Sequence, residues 1–243
     1  GGDYNSSTFN PSADKEKKIS KLIYWKKENG YNLSATKLIN RKLVNNPQSN
    51  KIIFFAQNYR FVVNHFGDGP YSPKSNIKFQ TNQFNSIDNL KNKSTFNIYV
   101  KTPNYFEIKF KSILQNLLLK KKTKIIDPQK KIDEILSDFK FAITHDPGTI
   151  FLELLGLNYP CFLIKDKAWN LNSKFKKHLK KLKKINIVFN NSTELLKYLN
   201  KTNWEKNWIK AQKHKDFLFF KRNYCYYDNK NSLSQWKLFL NKL

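Results

Sequence analysis

Short apolar runs alternate with amphipathic stretches from about residue 50 onward. The runs are uniformly hydrophobic, as in strands buried on both faces of a parallel sheet. The stretches between them place apolar residues at mostly helical spacing, as in 105–119. Alternating strands and helices of this kind predict an α/β fold, a doubly wound parallel sheet covered by helices on both faces. The predicted strands are 51–55, 96–100, 123–126, 141–143, 160–164 and 185–189.

Several predicted helices have recognisable starts. Asp127 and Pro128 supply an N-cap and a proline at the first helical position, ahead of an apolar stripe at 132, 135, 136 and 139. Asn191 followed by Glu194 resembles a capping box. Residues 150–157 form a further helix, and 204–243 are predicted to be wholly helical.

The first 49 residues do not follow this alternation of strands and helices. They contain one convincing strand, 21–25, and a turn at Asn29 and Gly30. The sequence therefore predicts three parts: 1–49 as the tail of an N-terminal domain plus a linker, 50–200 as the α/β domain, and 201–243 as C-terminal helices. The chain contains no Met and begins Gly1-Gly2, from which we expect a fragment of a longer protein.

The charge of +27 has three interpretations: compositional drift in an AT-rich genome, a surface for an anionic membrane or polyanionic substrate, and nucleic-acid binding. Only three of the 45 basic residues are Arg, which disfavours nucleic acid because Arg makes the usual bidentate contacts. The densest basic block, 174–184, carries Phe175, Leu179 and Leu182 at helical spacing. It is either a solvated helix face or a helix lying on an anionic bilayer.

Other classes of protein lack support in the sequence. Glu153, Asn158 and Pro160 interrupt the longest apolar run, so no membrane-spanning helix is predicted. The Gly-, Ser- and Asn-rich N-terminus is unlike a secretion signal, and two cysteines favour a reducing cytoplasm. The histidines lack ligand spacing with either cysteine, which predicts neither a metal site nor a cofactor.

Candidate chemistry lies just after the predicted strands, because ligands bind beyond the carboxyl ends of parallel strands. The segment 144–149, Thr-His-Asp-Pro-Gly-Thr, joins strand 141–143 to the next helix. Gly148 allows close approach to the backbone, and Thr149 offers a hydroxyl beside free N–H groups at the positive end of the helix dipole. These are the elements of an anion site, although any strand-to-helix turn needs a cap.

The segment 142–164 resembles the donor-binding segment of GT-B glycosyltransferases, in which a strand, a Ser/Thr/Gly turn, a helix carrying Glu and a Pro-led strand succeed one another. More narrowly, the chain resembles a transferase family of bacterial O-antigen and surface-polysaccharide gene clusters. Gly1-Gly2-Asp3-Tyr4 is similar to the residues after Gln-His in that family's Gln-His-Gly-Gly motif. The resemblance implies that the acceptor-binding domain is largely missing from this chain.

The resemblance implies a metal-independent enzyme that moves a sugar from a CMP- or UDP-activated donor to a glycan or lipid-linked acceptor. Together with the cysteine count this predicts a cytoplasmic protein, and the basic block 174–184 leaves open peripheral contact with an anionic inner membrane. Related enzymes bind nucleotide phosphate through a His-Pro motif and a Ser-Ser pair. By position, Lys101 and Thr102 resemble the first and Gly148 and Thr149 the second, with Thr102 in place of the His and Gly148 in place of the first Ser.

Roles for individual residues are implied by that resemblance. Gly148 and Thr149 would hold the donor phosphate, with Lys101 and Arg60 as countercharges. Glu153 would accept from ribose hydroxyls or is a surface carboxylate, and His145 would bond the leaving phosphate, act as a general acid, or serve only as a loop histidine. Asp146 is a helix cap or a catalytic base. The substrate-binding candidates are Arg60, Lys101, Thr102, Thr144, Gly148, Thr149 and Glu153, and the catalytic candidates are His145 and Asp146.

Two other functions stay open. The missing His and Ser equivalents also suit a nucleotide-binding module of the same fold with eroded catalysis. The basic charge leaves a nucleic-acid-binding protein as the remaining alternative.

Overall fold

A six-stranded, all-parallel sheet is the centre of the described residues. The computed structural model describes residues 23–24, 31–32, 41–57, 73–102, 113–167, 169, 171–225 and 232–241. The strands lie side by side in the order β5-β4-β3-β6-β7-β8, which is the 3-2-1-4-5-6 order of a Rossmann sheet. This confirms the predicted doubly wound fold. The strands are β3 Lys51–Phe55, β4 Asn97–Lys101, β5 Lys124–Ile126, β6 Ala142–Thr144, β7 Cys161–Ile164 and β8 Val188–Phe189.

Two short strands, β1 (Ile23–Tyr24) and β2 (Tyr31–Asn32), form a separate parallel pair. β1 lies inside the predicted strand 21–25; the other residues of that range lie outside the described residues.

Nine α-helices occur in the described part of the chain, and a short 3-10 helix, Leu136–Asp138, follows the third of them. The α-helices are α1 Pro73–Lys93, α2 Ile113–Lys120, α3 Ile132–Ile135, α4 Thr149–Gly156, α5 Ser173–Lys184, α6 Ser192–Lys201, α7 Trp204–Lys213, α8 Lys215–Tyr224 and α9 Ser232–Leu240. α1 packs against α2 and α6, whereas α8 packs against α4, α5 and α7. Within the described residues, no helix combines the length and the apolar character that a membrane span requires.

The core forms because the interior positions of the strands are apolar, whereas Lys51, Asn97, Lys101, Lys124 and Thr144 stand at strand ends. β6 and β7 are buried at every position, as expected of strands covered on both faces. Aromatic side chains then attach the C-terminal helices to the sheet: Trp204 meets Phe141 and Phe162 edge to face, and Trp208 meets Phe162 in the same way. The predicted C-terminal helices are thereby confirmed, although they are separate helices rather than one helical run.

One helix start was predicted wrongly. The helix expected to open at Asp127 and Pro128 begins only at Ile132. Instead, Asp127 Oδ1 accepts from the Gln129 N–H at 2.8 Å, which closes a tight turn. The Lys101 ammonium donates to the carbonyls of Asp127 and Pro128, so these carbonyls serve a tertiary contact rather than a helix.

The longest described helix, α1, had no counterpart among the predicted elements. Its buried face includes Asn76, Gln80, Gln83 and Ser86 beside apolar residues, so the apolar stripe is broken at several positions. A pattern based on hydrophobic residues alone does not detect such a helix.

Candidate functional site

A pocket of about 650 Å³ lies beyond the carboxyl ends of β6, β7 and β8. One side is formed by α1 and the floor by the segments that come after the three strands. The position agrees with the general rule that open parallel sheets bind ligands at this edge. The lining residues are Ser75, Lys78, Asn82, Asn85, Ser86, Asn89, His145, Ile164, Lys165, Asp166, Lys167, Asn190, Asn191 and Ser192.

The wall on α1 is a stripe of polar, mostly uncharged side chains. Ser75, Lys78, Asn82, Ser86 and Asn89 succeed one another at intervals of three or four residues, which places them on one face of the helix. Amide, hydroxyl and ammonium groups on this face offer both hydrogen-bond donors and acceptors. Such a wall suits a ligand rich in hydroxyl and phosphate oxygens.

Three lysines give the pocket its charge. Lys78 comes from α1, and Lys165 and Lys167 come from the segment after β7. All three side chains are exposed, and within the described residues none has a carboxylate at ion-pair distance. Against these three cations the pocket contains one carboxylate, Asp166, so the lining favours an anionic ligand.

His145 is the most buried polar residue of the pocket, with only 2% of its surface exposed. Its Nε2 lies 2.9 Å from Ser86 Oγ on α1, and its Nδ1 lies 4.0 Å from Asp166 Oδ2. The ring also packs on Phe54 and Phe79. His145 therefore connects β6 to α1 and to the segment after β7.

The charge state of His145 is set by this environment. Burial lowers the pKa of His145 to about 4, and the Asp166 carboxylate offsets only part of that shift. The ring is consequently neutral at pH 7. A neutral imidazole carries one proton, so each nitrogen either donates or accepts.

The segment after β7 is held in place by contacts on both sides. Asp166 Oδ2 accepts from Asn82 Nδ2 at 2.9 Å, which connects this segment to α1. Trp169 Nε1 donates to the His145 carbonyl at 3.2 Å, and its ring meets Phe79 edge to face. At the far end of the wall, Asn89 Nδ2 donates to Ser192 Oγ at the start of α6.

The predicted anion site at the start of α4 lies beside the pocket but outside its lining. Gly148 occupies the N-cap position, and its N–H donates to Asp146 Oδ1 at 2.8 Å. Asp146 Oδ2 in turn accepts from Gln57 Nε2 at 2.8 Å. A Cβ at position 148 would lie 2.8 Å from the Asp146 carboxylate, so a larger residue would require this carboxylate to shift. The Asp146 carboxylate therefore already occupies the Gly148 N–H that the sequence assigned to a phosphate.

The remaining predicted residues are dispersed. Lys101, at the end of β4, donates to two carbonyls at 3.0 and 3.2 Å, and burial lowers its pKa although Asp127 raises it. Thr102 and Thr144 are buried. Glu153, on α4, is buried and pairs with Arg41 at 3.2 Å. Arg60 lies outside the described residues, and the predicted roles of all these residues stay predictions.

Of the predicted site residues that the structure describes, His145 lines this pocket, and the sequence did not single out its neighbours there. Asp166 lies two residues after the end of a correctly predicted strand, so the rule that selected 144–149 would also have selected the segment after β7. Ser86 and Asn82 gave no such signal, because the helix that carries them was not predicted.

A family model described as LIC12162 family transferase matches residues 1–240, nearly the whole chain. No curated protein matches the chain.

Proposed function

Because the chain belongs to the LIC12162 family of transferases, we propose that it transfers a sugar from a nucleotide-activated donor, linked to CMP or UDP, to a surface-polysaccharide or O-antigen acceptor. In this proposal the described domain is the donor-binding domain of a metal-independent GT-B enzyme. The observation that carries the proposal is the lysine-edged polar pocket at the carboxyl edge of a Rossmann-ordered sheet.

The donor phosphate would lie between α1 and the segment after β7. Lys78 comes from α1 and Lys165 from the segment after β7, and charge developing on a departing nucleotide would be stabilised by both ammonium groups. Asn82, Asn85 and Asn89 would contact the sugar or base hydroxyls and amides. The acceptor, glycan or lipid-linked, would enter from outside this domain.

His145 acts in this proposal as a positioning residue. Because its ring is neutral and its Nε2 faces Ser86, it fixes α1 relative to the 144–149 loop. We assign it this role in preference to that of a general acid, since an imidazolium population is very small at pH 7 when the pKa is about 4.

A second candidate is a nucleotide-binding module without turnover. Thr102 and Gly148 stand where related enzymes have His and Ser, and this difference favours the module. Binding and turnover must therefore be measured separately.

Titration calorimetry with CMP and UDP tests the binding step. We expect Lys78→Gln and Lys165→Gln each to weaken binding about tenfold, the scale of a charge-assisted hydrogen bond. Lys93→Gln is the matched control, because Lys93 is exposed at the end of α1 and outside the pocket. If Lys78→Gln and Lys165→Gln bind CMP and UDP normally and Thr149→Ala binds them weakly, the donor phosphate binds at the start of α4 and not in this pocket.

Turnover is tested by release of CMP or UDP from a panel of nucleotide sugars with a glycan acceptor. Release that Lys165→Gln lowers and Lys93→Gln leaves intact supports the transferase. Nucleotide binding without release from any donor favours the module. Absence of nucleotide binding, with tight and steeply salt-dependent binding to a DNA duplex, would overturn both.

A further inference from the structure

The outer faces of α5 and α8 form one surface that carries both cations and exposed apolar side chains. We call it the α5–α8 surface and define it by Lys177 and Lys181 on α5 and by Lys215, Leu218, Phe219 and Arg222 on α8. On α8 the four residues are spaced at intervals of three, one and three, so they occupy a single stripe of the helix.

Direct contacts fix the two helices side by side. The His178 ring meets Phe219 at 4.9 Å, and the Lys181 ammonium lies 5.4 Å from the centre of the Phe219 ring. Lys181 also pairs with Asp216 at 3.5 Å. Phe175 meets Tyr224 while Lys181 meets Asp216, so the helices run antiparallel and their exposed stripes lie next to each other.

The apolar part of this surface is exposed. Leu218 and Phe219 have 46% and 43% of their surface exposed, with Lys215 and Arg222 one turn away on either side. α5 contains seven lysines and no acidic residue, and its buried residues Phe175, Leu179 and Leu182 hold it on the domain. The core thus uses one face of α5 and leaves the cationic face to solvent.

We propose that the α5–α8 surface docks on an anionic lipid bilayer. Lysine and arginine side chains are attracted to acidic headgroups, and a leucine and a phenylalanine between them enter the boundary between headgroups and acyl chains. A nucleic acid would also be attracted to the cations, but contact with the exposed Leu218 side chain would add little to its affinity. The proposal goes beyond the transfer reaction and does not depend on it.

Sedimentation with lipid vesicles tests this surface. We expect the protein to bind phosphatidylcholine vesicles containing about one third phosphatidylglycerol and not to bind pure phosphatidylcholine. The variant Lys177→Gln/Lys215→Gln/Arg222→Gln removes three exposed cations. Each cation near the membrane contributes about fivefold, so the partition coefficient should fall roughly 100-fold. These three side chains are exposed, so the variant should fold, which circular dichroism verifies.

The matched control is Lys93→Gln/Lys120→Gln/Lys130→Gln, which lowers the net charge equally at exposed lysines of α1, α2 and the turn after β5. It should retain most of the binding. Leu218→Ser should weaken binding about fivefold, whereas Leu119→Ser, at a similarly exposed leucine of α2, should not.

Two outcomes would overturn the proposal. Equal losses in the two triple variants would mean that binding reflects overall charge and not this surface. Binding of single-stranded DNA that the surface triple variant abolishes, with vesicle binding insensitive to Leu218→Ser, would assign the surface to nucleic acid. The variant Lys177→Gln/Lys215→Gln/Arg222→Gln should bind nucleotide normally. Failure of the membrane proposal is therefore distinguishable from failure of the proposed transferase function.

Discussion

The buried histidine of the pocket predicts how stability depends on pH. His145 has a pKa near 4 in the folded protein because burial disfavours its charged form, against about 6.5 in an unfolded chain. Between these two values the unfolded state binds more protons than the folded state. The free energy of unfolding therefore decreases as the pH is lowered from about 6.5 towards 4. It recovers when the pH is raised back to about 6.5.

The size of the effect can be worked from those two pKa values. At pH 5 protonation favours the unfolded state by a factor of about 30 relative to the folded state, which corresponds to about 2 kcal/mol. His145→Gln has no such group, and its amide can still bond Ser86. We expect wild type to lose about 2 kcal/mol more than His145→Gln between pH 8 and pH 5.

Urea unfolding of both proteins at several pH values measures this difference, since all other titrating groups are common to the two chains. A second variant, Asp166→Asn, removes the carboxylate that raises the pKa of His145 and should lower this pKa further, as read from the imidazole proton signal in NMR. Parallel pH profiles for wild type and His145→Gln would refute the assignment of a buried, neutral histidine.

Two further predictions concern charged residues whose partners lie within the fold. Arg41→Ala should lower the free energy of unfolding by about 3 kcal/mol in urea titrations, because Glu153 is left buried without its arginine. Asp133→Asn, at the exposed end of the same cluster, should cost under about 1 kcal/mol, and equal losses would contradict this account. Lys101→Met should cost about 1–2 kcal/mol by losing two hydrogen bonds to carbonyls, with CMP and UDP binding unchanged. Weak nucleotide binding with unchanged stability would instead support the phosphate role that the sequence predicts for Lys101.

Local pattern was enough for the strands and for the helices whose apolar stripe is complete. β3, β6 and β7 were predicted to within a residue or two because strands buried on both faces form nearly continuous apolar runs, here with polar residues only at the strand ends Lys51 and Thr144. α5 was predicted for a related reason, since Phe175, Leu179 and Leu182 mark its buried face against a background of lysines. Alternating strands and helices then led to the doubly wound fold.

Only the tertiary structure decided what the polar residues do. α1 buries Gln80, Gln83 and Ser86 because partners on other elements satisfy them, as His145 does for Ser86, and no local pattern reveals such partners. Lys101 faces two carbonyls, and Glu153 faces Arg41, 112 residues away. A charged side chain near a strand end can serve a ligand or the fold, and long-range contacts determine which. Apolar burial is dictated by periodicity along the chain, whereas the partner of a buried polar group is set by which elements the fold brings together.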